Sequence, residues 1–194
     1  MLFSDRSIKE AIREGNILVS PLAEGAVQPA SVDLHMGNCA LKVNVNCELY
    51  LDPFKDHDYK MEISVISNDG IFVHPGSFTL VATKEWIELG SNIAGRLEGV
   101  SSLARMGLIV HATGGWVDPG WKGCLTLELV NVGPLPVLIR PGMKIAQIAF
   151  ISLTTPAERP YGHPDLKSKY QGAITPMQSL SHLDYVDGKP KDLK

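Results

Sequence analysis

Cysteine is scarce in this chain. Three are present, Cys39, Cys47 and Cys124, and no pair has Cys-x-x-Cys spacing. An odd, scattered count excludes a disulfide framework and a thiolate zinc knuckle, and reads as free thiols in a reducing compartment. Histidines are few and dispersed: His35, His57, His74, His111, His163 and His182 give neither His-x-x-x-His nor His-Glu-x-x-His spacing. A surplus of one charge is also missing. Eighteen Lys+Arg face 21 Asp+Glu, for a formal net charge of -3, so there is no basic field for DNA or RNA. An anionic ligand would have to be held by a few local cations. Long apolar runs are absent, so no segment reads as a bilayer span. The stretch Met1-Leu2-Phe3-Ser4-Asp5-Arg6 has no apolar core of a signal peptide. The expectation is a cytoplasmic protein that engages neither nucleic acid nor membrane.

What the chain does have is 194 residues at 44% apolar composition. That suffices for one core, and residues 1–194 read as a single domain. The first element is predicted to be a helix. Ser4 or Asp5 can cap it, Ile8, Ala11 and Ile12 share one face, and Gly15 is a natural stop. Beyond it, 18 glycines and 13 prolines punctuate short runs rich in Val, Ile, Leu and Thr. That pattern predicts a mainly β barrel or sandwich with a few short helices. Two segments echo each other, His74-Pro75-Gly76 before Phe78-Thr79-Leu80-Val81 and Arg140-Pro141-Gly142 before Lys144-Ile145-Ala146-Gln147. Each reads as a Pro-Gly turn feeding a strand. Ser101 to Met106 is predicted to form a second, short helix. From about residue 154 the pattern loosens, and residues 155–194 read as a mobile tail that lies over a surface until something orders it.

Candidate chemistry concentrates between Gly99 and Asn131. Ser101, Ser102 and Arg105 sit within five residues at a loop-to-helix junction, and hydroxyls, amides and a guanidinium together can cradle phosphate. The plainer alternative is a capped surface helix with a solvated arginine. In His111-Ala112-Thr113-Gly114-Gly115-Trp116-Val117-Asp118-Pro119-Gly120-Trp121, the paired glycines allow close backbone approach to a ligand. Asp118 can accept from a sugar hydroxyl or orient a water; otherwise it is an ordinary turn former. Trp116 and Trp121 are otherwise core residues. Leu125 to Asn131 alternates as a strand, with Leu125, Leu127 and Leu129 on one face and Thr126, Glu128 and Val130 on the other. Glu128 is a proton carrier if that face lines a pocket, and a solvated carboxylate if it does not. In the tail, Tyr161, Lys169, Tyr170 and Gln171 can close over a base and a polyphosphate, or belong to a disordered terminus.

Taken together, Gln28-Pro29-Ala30-Ser31-Val32-Asp33-Leu34, His74-Pro75-Gly76, Ser101-Ser102-Leu103-Ala104-Arg105, Asp118-Pro119-Gly120-Trp121, Leu127-Glu128, Arg140-Pro141-Gly142-Met143, Pro160-Tyr161 and Lys169-Tyr170-Gln171-Gly172 resemble the dCTP deaminase family. Each motif is weak alone, but the ordered set is specific and spans nearly the whole chain. The resemblance implies a dUTPase-like β-roll or distorted barrel, a homotrimer with sites between subunits, dCTP and dUTP as nucleotide substrates, and dTTP as a candidate inhibitor. It implies Mg2+ bound through the triphosphate, and no zinc. Zinc-dependent cytosine deaminases use His-x-Glu with Pro-Cys-x-x-Cys, and this chain has neither. By the same resemblance Glu128, Ser101, Arg105 and Asp118 are catalytic. Ser102, Leu103, Ala104, Thr126, Leu127, Gln147, Tyr161 and Lys169 contact nucleotide with them, and the tail closes over it. Gly115-Trp116 and Gln147 lean toward members that carry the reaction on to dUMP. The alternatives are a deaminase that stops at dUTP, a plain dUTPase, and a non-catalytic nucleotide-binding relative. Three positions depart from the pattern: Val100 and Ala173 replace polar residues expected to contact ligand, and His35 replaces an arginine at a structural position.

Overall fold

A computed structural model describes residues 1–42, 50–55, 62–186 and 189–190; Cys47 and His57 lie outside them. Helix α1 (Asp5–Arg13) buries Ile8 and Ala11, as its spacing predicts, and ends before Gly15 at φ 75. Ser4 occupies the N-cap, but its hydroxyl makes no capping bond; the main chain alone starts the helix.

The body of the protein is antiparallel sheet. In chain order its strands are β1 (Ile17–Ser20), β2 (Val27–Gln28), β3 (Ser31–Lys42), β4 (Glu62–Val65), β5 (Ile71–Val73), β6 (Phe78–Leu89) and β7 (Ile93–Gly99). After the single-turn helix α2 (Ser101–Ala104) come β8 (Leu108–Val110), β9 (Trp116–Val117), β10 (Lys122–Asn131), β11 (Val137–Ile139) and β12 (Lys144–Ser152). The main sheet runs β8-β10-β6-β3-β12-β7-β9. Strands β1, β2 and β4 attach to its middle, and β5 pairs with β11 separately.

The two ends of this sheet are joined by residues 111–115. Laid flat, the outer strands would stand about 29 Å apart, from six spacings of roughly 4.8 Å. Val110 to Trp116 can reach at most about 21 Å. The sheet therefore curls, and the end of β7 meets β8: a Cβ on Gly99 would lie 2.9 Å from the Val110 carbonyl oxygen. Leu34, Leu127, Leu129, Ile145, Ile148 and Phe150 fill the inside with no solvent exposure. Each such side chain contributes roughly 1.5–3 kcal/mol.

The echoed turns hold in detail. Ser77 N–H donates to the His74 carbonyl at 3.0 Å and Met143 N–H to the Arg140 carbonyl at 3.2 Å. Gly76 and Gly142 take φ 73 and 80, the third-position geometry that proline at the second position sets up. Cys39 and Cys124 are free thiols. Among the described residues no helix is long and apolar enough to cross a membrane.

His35 has a specific structural partner. Glu85 on β6 is buried, and His35 reaches it twice, through its backbone N–H at 2.9 Å and its Nδ1 at 2.7 Å. Removing the imidazole strands one side of a buried carboxylate. His35→Ala is expected to cost roughly 1–3 kcal/mol, read as a lower urea midpoint with an unchanged denaturant slope. An unmoved midpoint would show that the pair is dispensable.

Candidate active site

Strand β10 keeps the predicted alternation. Leu125, Leu127 and Leu129 are buried, while Thr126, Glu128 and Val130 are half-buried on the other face. Glu128 is held by the loop that closes the sheet. The His111 and Ala112 amides both donate to the Glu128 carbonyl at 3.2 Å, and the Thr113 N–H donates to Glu128 Oε2 at 3.0 Å. Main-chain oxygen and carboxylate are thus gripped by three consecutive amides, which fixes the side chain on the half-buried face of the strand.

That grip carries local strain. His111 adopts φ 70, a left-handed conformation that costs a non-glycine residue roughly 1–2 kcal/mol. Its Nδ1 and Nε2 are buried with no hydrogen-bond partner among the described residues. Strained backbone and an unpaired buried polar group mark functional loops more often than structural ones. The sequence places His111 in the right segment but gives no sign of its state. Gly115 is required by contact. Leu97 N–H donates to the Gly115 carbonyl at 2.7 Å, and a Cβ on Gly115 would sit 2.7 Å from the Leu97 carbonyl oxygen. The paired glycines therefore serve β7 against the loop, whatever they present to a ligand.

The two tryptophans divide. Trp121 is buried, its indole N–H donating to the Gly123 carbonyl at 3.2 Å and its ring 5.5 Å from that of Tyr161. Trp116 is 51% exposed, so core packing does not account for it. Asp118 opens a Pro-Gly turn, with Trp121 N–H donating to the Asp118 carbonyl at 3.1 Å and Gly120 at φ 87. Its backbone is a turn former, as the plainer reading has it. Its carboxylate is exposed and makes no hydrogen bond or ion pair among the described residues.

Ser101, Ser102 and Arg105 are exposed, and their side chains have no partner among the described residues. Helix α2 is one turn rather than the six residues expected, so it brings hydroxyls and a guanidinium but little aligned dipole. Val100 is buried, so its side chain faces the core instead of the cradle. Leu103 and Leu127 are buried as well and can offer a ligand main-chain groups alone; Ala104 is exposed. Within one protomer no hydrogen bond or ion pair among the described residues joins Glu128 to Ser101, Ser102 or Arg105. Gln147 on β12 accepts from the Ser31 hydroxyl at 3.2 Å and lies opposite Asp33 and Glu98.

The C-terminal segment departs from its composition. It forms little regular structure, yet it is docked along the outer edge of β10. Gly172 N–H donates to the Lys122 carbonyl at 2.8 Å, and Cys124 N–H to the Ala173 carbonyl at 2.7 Å. Met177 N–H donates to Thr126 Oγ1 at 3.1 Å. Ala173 is buried there, which explains a small residue where a glutamine was expected. Tyr161 is anchored through its N–H to the Pro119 carbonyl at 2.7 Å, and its hydroxyl accepts from Tyr170 N–H at 3.1 Å. Burial pushes its phenol above the ordinary value, so it stays neutral at physiological pH. Lys169 is ion-paired with Asp184.

Residues 2–153 match a family model described as dCTP deaminase-like. The chain belongs to that family. A dUMP-forming dCTP deaminase of Methanosphaera stadtmanae is 40% identical over 188 residues, 95% of either chain. A dUMP-forming dCTP deaminase of Mycolicibacterium paratuberculosis is 43% identical over 189 residues, 96% of this chain and 98% of that one. Among solved structures, the 2'-deoxycytidine 5'-triphosphate deaminase of Agrobacterium tumefaciens shares the fold at TM-score 0.61 and 21% identity, over 77% of this chain and 47% of its own length. The mainly β architecture expected from the motifs is the observed one.

Gly115→Ala tests the closure of this dCTP deaminase-like fold. Forcing a methyl group against the Leu97 carbonyl is expected to cost about 1–3 kcal/mol and to shift the Thr113 amide resonance as its bond to Glu128 distorts. An unmoved resonance and an unmoved unfolding midpoint would mean the loop has slack that the geometry does not show.

Proposed function

We propose that this chain is a cytoplasmic hydrolase that deaminates dCTP and cleaves the product to dUMP and diphosphate in one site. The observation that carries the proposal is Glu128: a half-buried carboxylate oriented by the Thr113 amide, in a chain whose 40–43% identical relatives are named for this reaction. A plain dUTPase needs no carboxylate at the base.

Glu128 takes a proton from a water that adds to C4 of cytosine. It then returns the proton to the exocyclic amino group, which leaves as ammonia and gives dUTP. Oxyanion character at the reaction centre needs fixed donors, and Ser101 and Arg105 supply them. Ser101 and Arg105 make no hydrogen bond or ion pair with Glu128 in a single chain among the described residues, which supports a complete site assembled between subunits of a homotrimer. Ser102, with main-chain groups at Leu103 and Ala104, holds phosphate, and main-chain groups beside Thr126 and Leu127 read the base. Gln147, Tyr161 and Lys169 contribute further nucleotide contacts, and Lys169 exchanges Asp184 for a phosphate oxygen. Asp118, unpaired in the free protein, orients a second water toward the α-phosphate; Gly115 and Trp116 shape this dUMP-forming arrangement.

Among the described residues no three His, Cys, Asp or Glu side chains cluster as a metal site. The donor set fits Mg2+ carried in on the triphosphate, which uses one or two carboxylates at most; Asp118 is exposed and its carboxylate has no partner among the described residues. Bound there, Mg2+ would shield phosphate charge. The fold that accepts the product nucleotides would also admit dTTP as an inhibitor.

Incubating the protein with dCTP and Mg2+ is expected to yield equal ammonia and diphosphate, with dUMP as the product. Diphosphate from dUTP without ammonia from dCTP would replace this reading with a plain dUTPase. Tight dCTP binding with no product would mark a non-catalytic relative. Glu128→Gln, nearly isosteric but unable to carry a proton, should abolish ammonia release while leaving oligomer size unchanged. Retained ammonia release would refute the role. Arg105→Ala should cut turnover about ten- to a hundred-fold, the kinetic equivalent of a charge-assisted hydrogen bond worth roughly 1.5–3 kcal/mol; unchanged kinetics would leave Arg105 a solvated surface residue.

A further inference from the structure

The Gln171 amide is committed in full to main chain. Its Oε1 accepts from Lys122 N–H at 3.1 Å. Its Nε2 donates to the Gly120 carbonyl at 2.9 Å and, at 3.5 Å, to the Tyr161 carbonyl. The residue itself is exposed, so packing does not explain these bonds. They tie together three pieces of chain: the turn that carries Asp118, the start of β10, and the first pass of the C-terminal segment.

The surroundings are shaped to admit that amide. A Cβ on Gly162 would fall 2.8 Å from Gln171 Nε2, and one on Gly120 would fall 2.7 Å from Pro160 Cβ and 2.9 Å from the Tyr161 carbonyl oxygen. Both glycines take positive φ, 91 and 87. The turn and the segment approach closely because neither presents a side chain, and the glutamine fills the seam with hydrogen bonds. Lys169 lies two residues from Gln171 in sequence, and Tyr161 is bonded to it directly. The residues on either side of the seam are the ones that the proposed function assigns to nucleotide.

We infer that Gln171 is a positioning residue. It holds the Asp118 turn and the Tyr161–Lys169 segment in one register, so that the nucleotide stays enclosed between deamination and diphosphate cleavage. This rests on the dUMP-forming reading of the same site. It replaces the expectation that Gln171 itself contacts the nucleotide, because its amide oxygen and nitrogen both already bond main chain. The consequence is specific. Glu128 lies on another part of β10 and is held by the 111–113 loop, so the support of the proton carrier does not run through the seam. Retention of the dUTP intermediate and the placing of Asp118 do.

Gln171→Glu separates these effects, since it keeps the acceptor and the bulk but cannot donate to Gly120 or Tyr161. In the intact, nucleotide-free protein, amide hydrogen exchange at Tyr161, Gly172 and Cys124 is expected to accelerate by about ten-fold or more, with Leu127 and Leu129 unchanged. With dCTP, the variant should release dUTP alongside dUMP and show a raised KM, while ammonia turnover stays within about two-fold of the parent. Unchanged exchange would overturn the clamp. Faster exchange with an unchanged dUTP-to-dUMP ratio would overturn the positioning role, as would an equal fall in ammonia and diphosphate. If the parent itself releases no ammonia from dCTP, the functional reading fails, and the exchange measurement still decides the clamp.

Discussion

Five residues, 111–115, hold this molecule closed. They connect the first strand of the curled sheet to the last, and on the way three successive amides turn inward onto Glu128. Neither role is separable from the other. The loop can span the gap because the sheet has curled, and the sheet stays curled because β8 and β9 are tethered by so short a loop. A carboxylate in that position inherits its orientation from the closure of the whole fold instead of from local packing. This is the rigid support that a proton-transferring group requires, because misplacement by about 1 Å can cost a hundred-fold in rate.

The cost of closure is concentrated in one residue. His111 combines a left-handed backbone with two buried ring nitrogens that find no partner among the described residues. Gly115, one turn later, is fixed by its contact with Leu97. The neighbours are otherwise well satisfied. Asn131, buried beside the end of β8, uses its side chain on the carbonyls of Val73 and Leu135 and on the Gly133 amide. Along β10 the strained neighbour is thus the loop that grips Glu128, while the strand's far end is tied down by a bonded amide. A sheet with unsatisfied groups spread along β10 would have no reason to hold one carboxylate in one place.

What could be read from the sequence follows from how local each signal is. The α1 face, the alternation along β10 and the Pro-Gly turns before β6 and β12 are decided by a few adjacent residues, and all appear as expected. Trp116 and Trp121 look equivalent in sequence, five residues apart, yet one is half exposed and the other buried. The difference is set by which side of the Asp118 turn faces the C-terminal segment. That segment is the largest departure. Its composition carries no periodicity, and its order comes from long-range hydrogen bonds onto the edge of β10, which no local pattern encodes. Gln171 looks like a ligand-binding polar residue and proves to be bonded to main chain. Ser101, Ser102 and Arg105 are close in sequence, but whether they bond Glu128 is not a local property, and no hydrogen bond or ion pair joins them to it among the described residues.

The outer edge of β10 is completed piece by piece. Antiparallel pairing with β8 covers its last residues, the 111–112 amides cover its middle, and the C-terminal segment covers its beginning. Three different segments therefore share a single edge, each through its own hydrogen bonds. The middle one carries the strain and grips Glu128. The first lies against the turn bearing Asp118, whose carboxylate has no partner among the described residues. On the proposed reading, two carboxylates with separate supports act together, Glu128 at the middle of the edge for the base and Asp118 on the turn that precedes the strand for the phosphates. A site of this kind keeps the proton carrier fixed while the phosphate side opens and closes for substrate. Such a division is possible only where the edge strand is completed by loops and tail instead of by a single continuous neighbour.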